Sequence, residues 1–269
     1  MKSKYKMFFT RFAALFLVFF LFASPPLTSA EEGKKFYFVQ ITDTHLGVVD
    51  HNDVLEKITD QINNLPMPVA CIVHTGDIFA DNITNEKTFA VATSLISRIK
   101  IPLMLLPGNH DLPKNKQKQS LETYKKIGKL AEKREFNGVV FITLCTEPLS
   151  SEIKIKDYDP LEWLEKTLKE TEKKPVLLFV HVPPVPDFYK NKMHDGWPEE
   201  KYTKFYNLLK KYNVQAVICG HFHRDELHWI GEIPIYVAPP AARFYDRQPS
   251  FRIYENKNGK LDYFTVYLE

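Results

Sequence analysis

Phe36-Tyr-Phe-Val-Gln-Ile-Thr-Asp43-Thr-His45 is an apolar, strand-like run that ends in an acid and an imidazole two residues apart. The arrangement recurs along the chain. Val69 to Val73 leads into Gly76-Asp77, and Ile101 to Leu106 into Gly108-Asn109-His110-Asp111. Val176 to Val180 leads into His181, and Val214 to Cys219 into Gly220-His221-Phe222-His223. In α/β proteins ligands bind in the crevice outside the carboxyl ends of the strands, so a shared strand edge brings all five blocks together.

Between these runs lie stretches with apolar residues at helical spacing: Val54, Leu55, Ile58 and Ile62, then Phe89, Leu95, Ile96 and Ile99. Asp159-Pro160-Leu161-Glu162 opens a further helix with an acid at the N-cap and proline in the first turn, and Leu161, Leu164 and Leu168 form its buried stripe. After His223 the pattern turns to hairpins. Leu227 to Ile230 turns at Gly231-Glu232 into Ile233 to Val237, and Phe251 to Tyr254 turns around Asn258-Gly259 into Leu261 to Leu268. The expected fold is α/β, with an alternating front half and a β-meander behind. Because the five blocks must converge in one site, they belong to one domain.

The side chains gathered at the strand ends are carboxylates, imidazoles and an amide, with no cysteine. That donor set suits hard or borderline divalent ions such as Mn, Fe, Zn or Co. Asp77, central in the order, is the carboxylate expected to bridge two of them. Two ions about 3.5–4 Å apart clamp the attacking and leaving oxygens of an in-line phosphoryl displacement, and lower the pKa of bound water to about 7.

In order and content the blocks resemble the calcineurin-like metallophosphoesterases, whose pattern is D-x-H, G-D, G-N-H-[DE], H and G-H-x-H. The resemblance spans Asp43 to His223. It implies a two-sheet β-sandwich flanked by helices. It further implies that Asp43, His45, Asp77 and His223 hold one metal ion, and Asp77, Asn109, His181 and His221 the other. His110 would then be the catalytic residue that assists the leaving oxygen after attack of a metal-bound hydroxide, with Asp111 orienting its imidazole and keeping it protonated. Purple acid phosphatases, a related branch, carry a metal-ligating tyrosine three residues after the G-D aspartate, and here Ala80 stands there. Their first motif also lacks the histidine found here as His45, so the chain looks more like the D-x-H branch that includes class III cyclic-nucleotide phosphodiesterases.

Two loops, Val182 to Pro198 and Ala238 to Pro249, are expected to frame the pocket. Phe188, Tyr189 and Trp197 either stack on a base or sugar or pin the first loop to the core. Arg243 and Arg247 are candidates for phosphate oxygens, Asn109 faces the same substrate, and His194 is a candidate for the leaving-group side. His51, His74 and His228 fit no ligand slot and are read as structural or supporting residues.

Lys2, Lys4, Lys6 and Arg11 precede an apolar stretch from Phe12 to Ala23, then Thr28-Ser29-Ala30 before Glu31-Glu32. That stretch is shorter than the roughly 20 residues of a transmembrane helix, so residues 1–30 read as a signal peptide, cleaved near Ala30, for export to a secreted, cell-surface or periplasmic location. An uncleaved N-terminal membrane anchor, with association at the surface, is the alternative. No cysteine follows the stretch, which excludes a lipid-anchor motif. With the four basic residues of the segment removed, 32 Lys and Arg stand against 33 Asp and Glu, a charge of −1 in place of +3. Nucleic-acid binding is therefore not expected. Cys71, Cys145 and Cys219 lie in apolar runs and read as buried free thiols.

The favoured activity is hydrolysis of a phosphodiester outside the cytoplasm, on a small molecule, a lipid head group or a cell-wall phosphoester. A phosphomonoesterase or nucleotidase would use the same metals with more positive charge around the substrate. A non-catalytic metal-binding scaffold is the third reading, and His110, a histidine beside the metals with no ligand slot, argues against it.

Overall fold

The computed structural model describes residues 35–151, 153–186, 196–244, 247–257 and 259–268. In chain order the elements are β1 (Phe36–Ile41), α1 (His51–Asn63), β2 (Val69–His74), α2 (Glu86–Ser97), β3 (Leu103–Leu105) and α3 (Gln117–Tyr124). There follow β4 (Ala131–Phe136), β5 (Val139–Leu144), α4 (Glu147–Ser150), α5 (Pro160–Lys169), β6 (Val176–Phe179), α6 (Glu199–Leu209) and β7 (Val214–Cys219). The chain closes with β8 (Glu226–Ile230), β9 (Ile233–Val237), β10 (Ser250–Lys257) and β11 (Lys260–Tyr267).

Two mixed sheets face each other, in the orders β11-β10-β1-β2-β3 and β4-β5-β6-β7-β9-β8. The alternation along β1 shows why. Phe36 and Phe38 point between the sheets, where they join Cys71, Val73 and Met104 from one sheet and Phe141, Leu177, Phe179 and Ile218 from the other. Val39 and Ile41 point outward into a layer shared with Val54, Ile58 and Ile62 of α1. Both faces of the central strands are buried, which is why they read as continuous apolar runs. At the middle of the sandwich, Phe38 stacks on Tyr254 at 4.7 Å and meets Phe141 edge-on at 5.0 Å. The outer face of the second sheet is covered by Leu164 and Leu168 of α5 and Phe205 and Leu209 of α6. As expected, Asp159 caps α5, its side chain accepting from the backbone N–H groups of Leu161 and Glu162.

Two expectations are corrected, and one hairpin adds to the reading. The two C-terminal hairpins do not form a meander. β8–β9 extends the second sheet, with β9 parallel to β7, while β10–β11 extends the first, with β10 antiparallel to β1. Each hairpin thereby covers an open edge left by the parallel strands. The hairpin β4–β5, turning at Asn137-Gly138 with both residues at positive φ, was not anticipated, because β4 is Ala-Glu-Lys-Arg-Glu-Phe and shows no apolar alternation. Ile99 lies beyond the end of α2, and the only fully buried residue of that helix is Ala92.

Residues Lys34–Glu269 form one compact unit. The segment read as a signal peptide, residues 1–30, lies outside the described residues, and so do Phe188, Tyr189 and His194. Among the described residues no helix is long and apolar enough to cross a membrane. Cys71, Cys145 and Cys219 are buried and free.

Candidate metal centre

β1, β2 and β3 run parallel in the first sheet, and β6 and β7 run parallel in the second, so the loops after all five emerge at strand carboxyl ends. Backbone hydrogen bonds fasten those loops to one another. Asp43 N–H donates to the Gly76 carbonyl and His45 N–H to the Asp77 carbonyl, both at 3.0 Å, and Gly220 N–H donates to the His181 carbonyl at 3.1 Å. Asp43, His45, Asp77, His221 and His223 all lie at positive φ, between 43° and 74°. That region is costly for residues with a Cβ, and its use at five positions of one cluster marks a backbone bent to aim side chains inward.

The close approach requires glycine, as Gly220 and Gly108 show. A Cβ on Gly220 would stand 1.9 Å from Thr42 Oγ1 and 2.5 Å from Asp43 Oδ2. A Cβ on Gly108 would stand 2.2 Å from Asp77 Oδ1.

Three groups of side chains bring one donor atom each to within 4.8 Å of one another: Asp43, His45 and His223; His45, Asp77 and His110; and Asp77, His181 and His221. Asp77 lies between the first and third, its Oδ2 3.0 Å from His181 Nε2 and 3.8 Å from His45 Nε2. The His45 and His223 Nε2 atoms are 3.2 Å apart, and Asp43 Oδ1 is 3.2 Å from His223 Nε2.

The surroundings of His181 test whether these donors fit a cation. Its Nδ1 lies 2.8 Å from the Thr75 carbonyl, an acceptor, so Nδ1 carries the proton. In the neutral ring Nε2 is then a lone pair, and it faces two further acceptors, Asp77 Oδ2 at 3.0 Å and Asn109 Oδ1 at 3.1 Å. Three converging acceptors in a buried place need a positive charge among them, and a divalent ion meets that need with donors of the right chemistry. The same field acts on protons. Burial alone would lower the His181 pKa, but the adjacent Asp77 charge and its hydrogen bond outweigh burial and lift it to about 10. Asp43 and Asp77 are held below the usual carboxylate range, the neighbouring histidines overcoming the effect of burial.

His110 stands at the open side, 40% exposed, with its ring 5.0 Å from that of His45. The expectation that Asp111 orients this imidazole is corrected. Asp111 is buried, and its carboxylate accepts from the N–H groups of Ile78, Phe79 and Gly108 at 3.1, 2.8 and 2.9 Å. It ties the turn after Asp77 to the turn before Asn109. The acid that meets His110 is Asp81, with Oδ2 3.0 Å from Nδ1, while the His110 N–H donates to Asp77 Oδ1 at 2.8 Å. Burial works against the charged ring, yet Asp77 and Asp81 together raise the His110 pKa.

Asp81 was not singled out in the sequence. Its only signal is a second acid four residues after Asp77. His51 has the structural role expected of it: its ring lies between the carbonyls of His45 and Arg243, at 3.0 and 3.2 Å, and ties a strand-end turn to the second loop. His74 sits beneath the site, 3.0 Å from Thr44 Oγ1. Burial lowers its pKa to about 3, which keeps the ring neutral. Glu147, at the start of α4, is a buried carboxyl whose Oε1 has no hydrogen-bond partner among the described residues. Burial, reinforced by Asp77 and Asp111 and opposed by His181, pushes its pKa up to about 7.

Of the residues expected to meet substrate, Arg243 is exposed on the second loop beside the site, and Arg247 Nη1 donates to the His223 carbonyl. Trp197 is buried against Phe205, with ring centroids 5.1 Å apart, and pins the first loop to the core, so it is not placed to stack on a substrate. His228 lies 2.8 Å from Glu226 on the far hairpin.

Comparisons with known proteins bear on the family and the fold. The chain is 32% identical over 205 residues to a probable glycerophosphodiester phosphodiesterase GpdQ of Arcobacter nitrofigilis, covering 69% of this chain and 71% of that protein. It is 26% identical over 213 residues to the 3',5'-cyclic adenosine monophosphate phosphodiesterase CpdA of Escherichia coli K12, covering 72% of each. A dimetal phosphatase from Danio rerio shares the fold, with a TM-score of 0.62 at 13% identity over 87% of this chain and 99% of that one. The sequence profile described as calcineurin-like phosphoesterase matches residues 36–225, from the first strand through the last histidine pair, and the chain belongs to that family.

Proposed function

We propose that this protein is a dinuclear-metal phosphodiesterase, with Asp43, His45 and His223 holding one divalent ion, Asn109, His181 and His221 the other, and Asp77 shared between them. The observation that carries the reading is the position of Asp77 Oδ2 between His181 Nε2 and His45 Nε2, in the middle of a convergent set of buried acceptors. When bound, two such ions would polarise phosphoryl oxygens and acidify water into a nucleophile at neutral pH. Mn, Fe, Zn and Co all suit the donors.

The chain's own residues do the rest. Asp77 and His181 order the floor of the site, Asp43 orders the turn that presents His221, and the Asn109 amide oxygen completes the set. His110, whose pKa is raised by the Asp81 carboxylate at its Nδ1, would donate a proton to the departing alkoxide. A diester is favoured over a monoester on two grounds. The two relatives above carry diesterase names, and a monoester's second charge calls for further cations at the site. Arg247 donates Nη1 to the His223 carbonyl, and Arg243, exposed on the same loop, is the arginine we assign to the substrate.

The test is hydrolysis of bis(p-nitrophenyl) phosphate against p-nitrophenyl phosphate by the Mn²⁺-loaded protein, with Asp77→Ala as the blank. Faster metal-dependent turnover of the diester supports the reading, and faster turnover of the monoester replaces it with a phosphatase. We further propose that the protein is exported after cleavage near Ala30. A mature N-terminus at Glu31, found by N-terminal sequencing of protein recovered outside the cytoplasm, is the expected result, and an intact N-terminus in the membrane fraction would favour the anchor.

A further inference from the structure

Phe244 belongs to none of the motifs that carry the metal chemistry, yet its ring touches two members of the Asp43–His45–His223 trio. It stacks on the His223 imidazole at 4.7 Å with 22° between the planes, and meets the His45 imidazole edge-on at 4.7 Å and 83°. His51 meets a further part of the same ring at 5.1 Å. The chain around Phe244 is fastened on both sides. The Arg243 carbonyl lies 3.2 Å from His51 Nε2, Arg247 donates to the His223 carbonyl, and Ala241 N–H donates to the Thr42 carbonyl at 2.8 Å. The backbone around Phe244 is therefore held by contacts other than the His223 and His45 imidazoles that its ring covers.

The other trio is ordered differently. His181 is wholly buried, and its orientation is set from within by the Thr75 carbonyl. On the turn that carries both remaining histidines at positive φ, the His221 ring lies against those of His181 and Phe222, at 5.1 and 5.3 Å, whereas His223, with a side chain 15% accessible to solvent, lies against Phe244. An imidazole in that position must be ordered before it can act as a ligand, and freezing a mobile side chain subtracts from affinity. A flat ring stacked on His223 and abutting His45 does that ordering in advance, and it screens one face of each imidazole from water.

We infer that Phe244 is a positioning residue for one ion only: it sets the affinity of the Asp43–His45–His223 position and leaves the Asp77–Asn109–His181–His221 position unchanged. The inference rests on the dinuclear reading above. It also implies that the second loop, apart from any contact with substrate, decides whether the site holds one ion or two at a given metal concentration.

The experiment is a Mn²⁺ titration of metal-free protein by calorimetry, with metal content measured after gel filtration, on wild type, Phe244→Ala and Phe244→Tyr. Wild type is expected to take up two ions. Phe244→Ala should keep one at wild-type affinity and bind the other about 10-fold more weakly or worse, while Phe244→Tyr, which retains the stack, should keep both. Thermal unfolding of the metal-free proteins checks that the fold is intact. Should Phe244→Ala not fold, Phe244→Leu, which keeps bulk without the stack, is read in its place. An alanine variant that binds both ions as wild type does, or weakens both equally, overturns the inference. Wild type that takes up fewer than two ions overturns the dinuclear reading itself, and this inference with it.

Discussion

Asp81 Oδ2 lies 3.0 Å from His110 Nδ1, which makes Asp81 the acid that orients the histidine at the mouth of the site. Its neighbour in sequence, Asp111, turns the other way, onto three backbone N–H groups. The two acids therefore have separable effects.

Asp81→Asn is expected to lower kcat about 10-fold, less than the 10² or more expected for loss of the acid itself in His110→Ala. The sign of its pH effect is fixed. Asp81 raises the His110 pKa, so its removal lowers that pKa, and the protonated acid disappears at a lower pH. Profiles of kcat against pH for wild type and variant should show the alkaline limb displaced toward acid in Asp81→Asn. Coincident limbs would remove Asp81 from the mechanism.

Asp111→Ala is expected to act on stability. Three buried N–H groups would lose their shared acceptor, at a cost on the order of 3 kcal/mol. Urea unfolding of the metal-free protein measures it, and a change below about 1 kcal/mol would contradict the role of Asp111 as the tie between the two turns.

Glu147 makes stability pH-dependent in a predictable direction. Its folded pKa of about 7 lies above the value near 4.3 of an unfolded chain, so the folded state holds the proton more tightly. Its contribution is fully present below about pH 4 and is lost as pH rises through 7. Glu147→Gln removes this loss. In metal-free protein it should be close to neutral at pH 4 and stabilise by up to about 3 kcal/mol at pH 8. Equal stability increments at both pH values would show that Glu147 is not buried in an uncompensated state.

Gly220→Ala places a methyl group where Thr42 Oγ1 and Asp43 Oδ2 already stand. Either the turn carrying His221 and His223 or the Asp43 carboxylate must move, and a displacement of about 1 Å at a catalytic group costs on the order of 100-fold in rate. Steady-state kinetics and bound-metal content should fall together, and a variant with wild-type metal content and turnover would contradict the close packing.

Much of this was legible in the residues, for physical reasons. Strands buried on both faces must be apolar throughout, so β1, β2, β6 and β7 stood out, and ligands placed directly after them inherit their position from the strand. The single domain follows from the convergence of five blocks in one site, while the two-sheet architecture rests on the family resemblance, since periodicity alone yields only α/β. What stayed hidden depends on contacts made in three dimensions. Nothing local tells β10 to add to the edge at β1, nor β9 to pair with β7. Asp111 and Asp81 lie 1 and 29 positions from His110, and only the turn geometry decides which of them meets its ring. Phe244 is likewise an ordinary loop aromatic until its ring is found lying on His223. Asn137-Gly138 is a hairpin dipeptide whose signal is masked by charged β4, which offers it no alternating partner.

The most direct test is an anomalous difference map from crystals of the Mn²⁺-loaded protein. Two peaks about 3.5–4 Å apart, one beside Asp43, His45 and His223, the other beside Asn109, His181 and His221, with Asp77 between them, are the predicted result. A single peak, or none at these side chains, would contradict the dinuclear account.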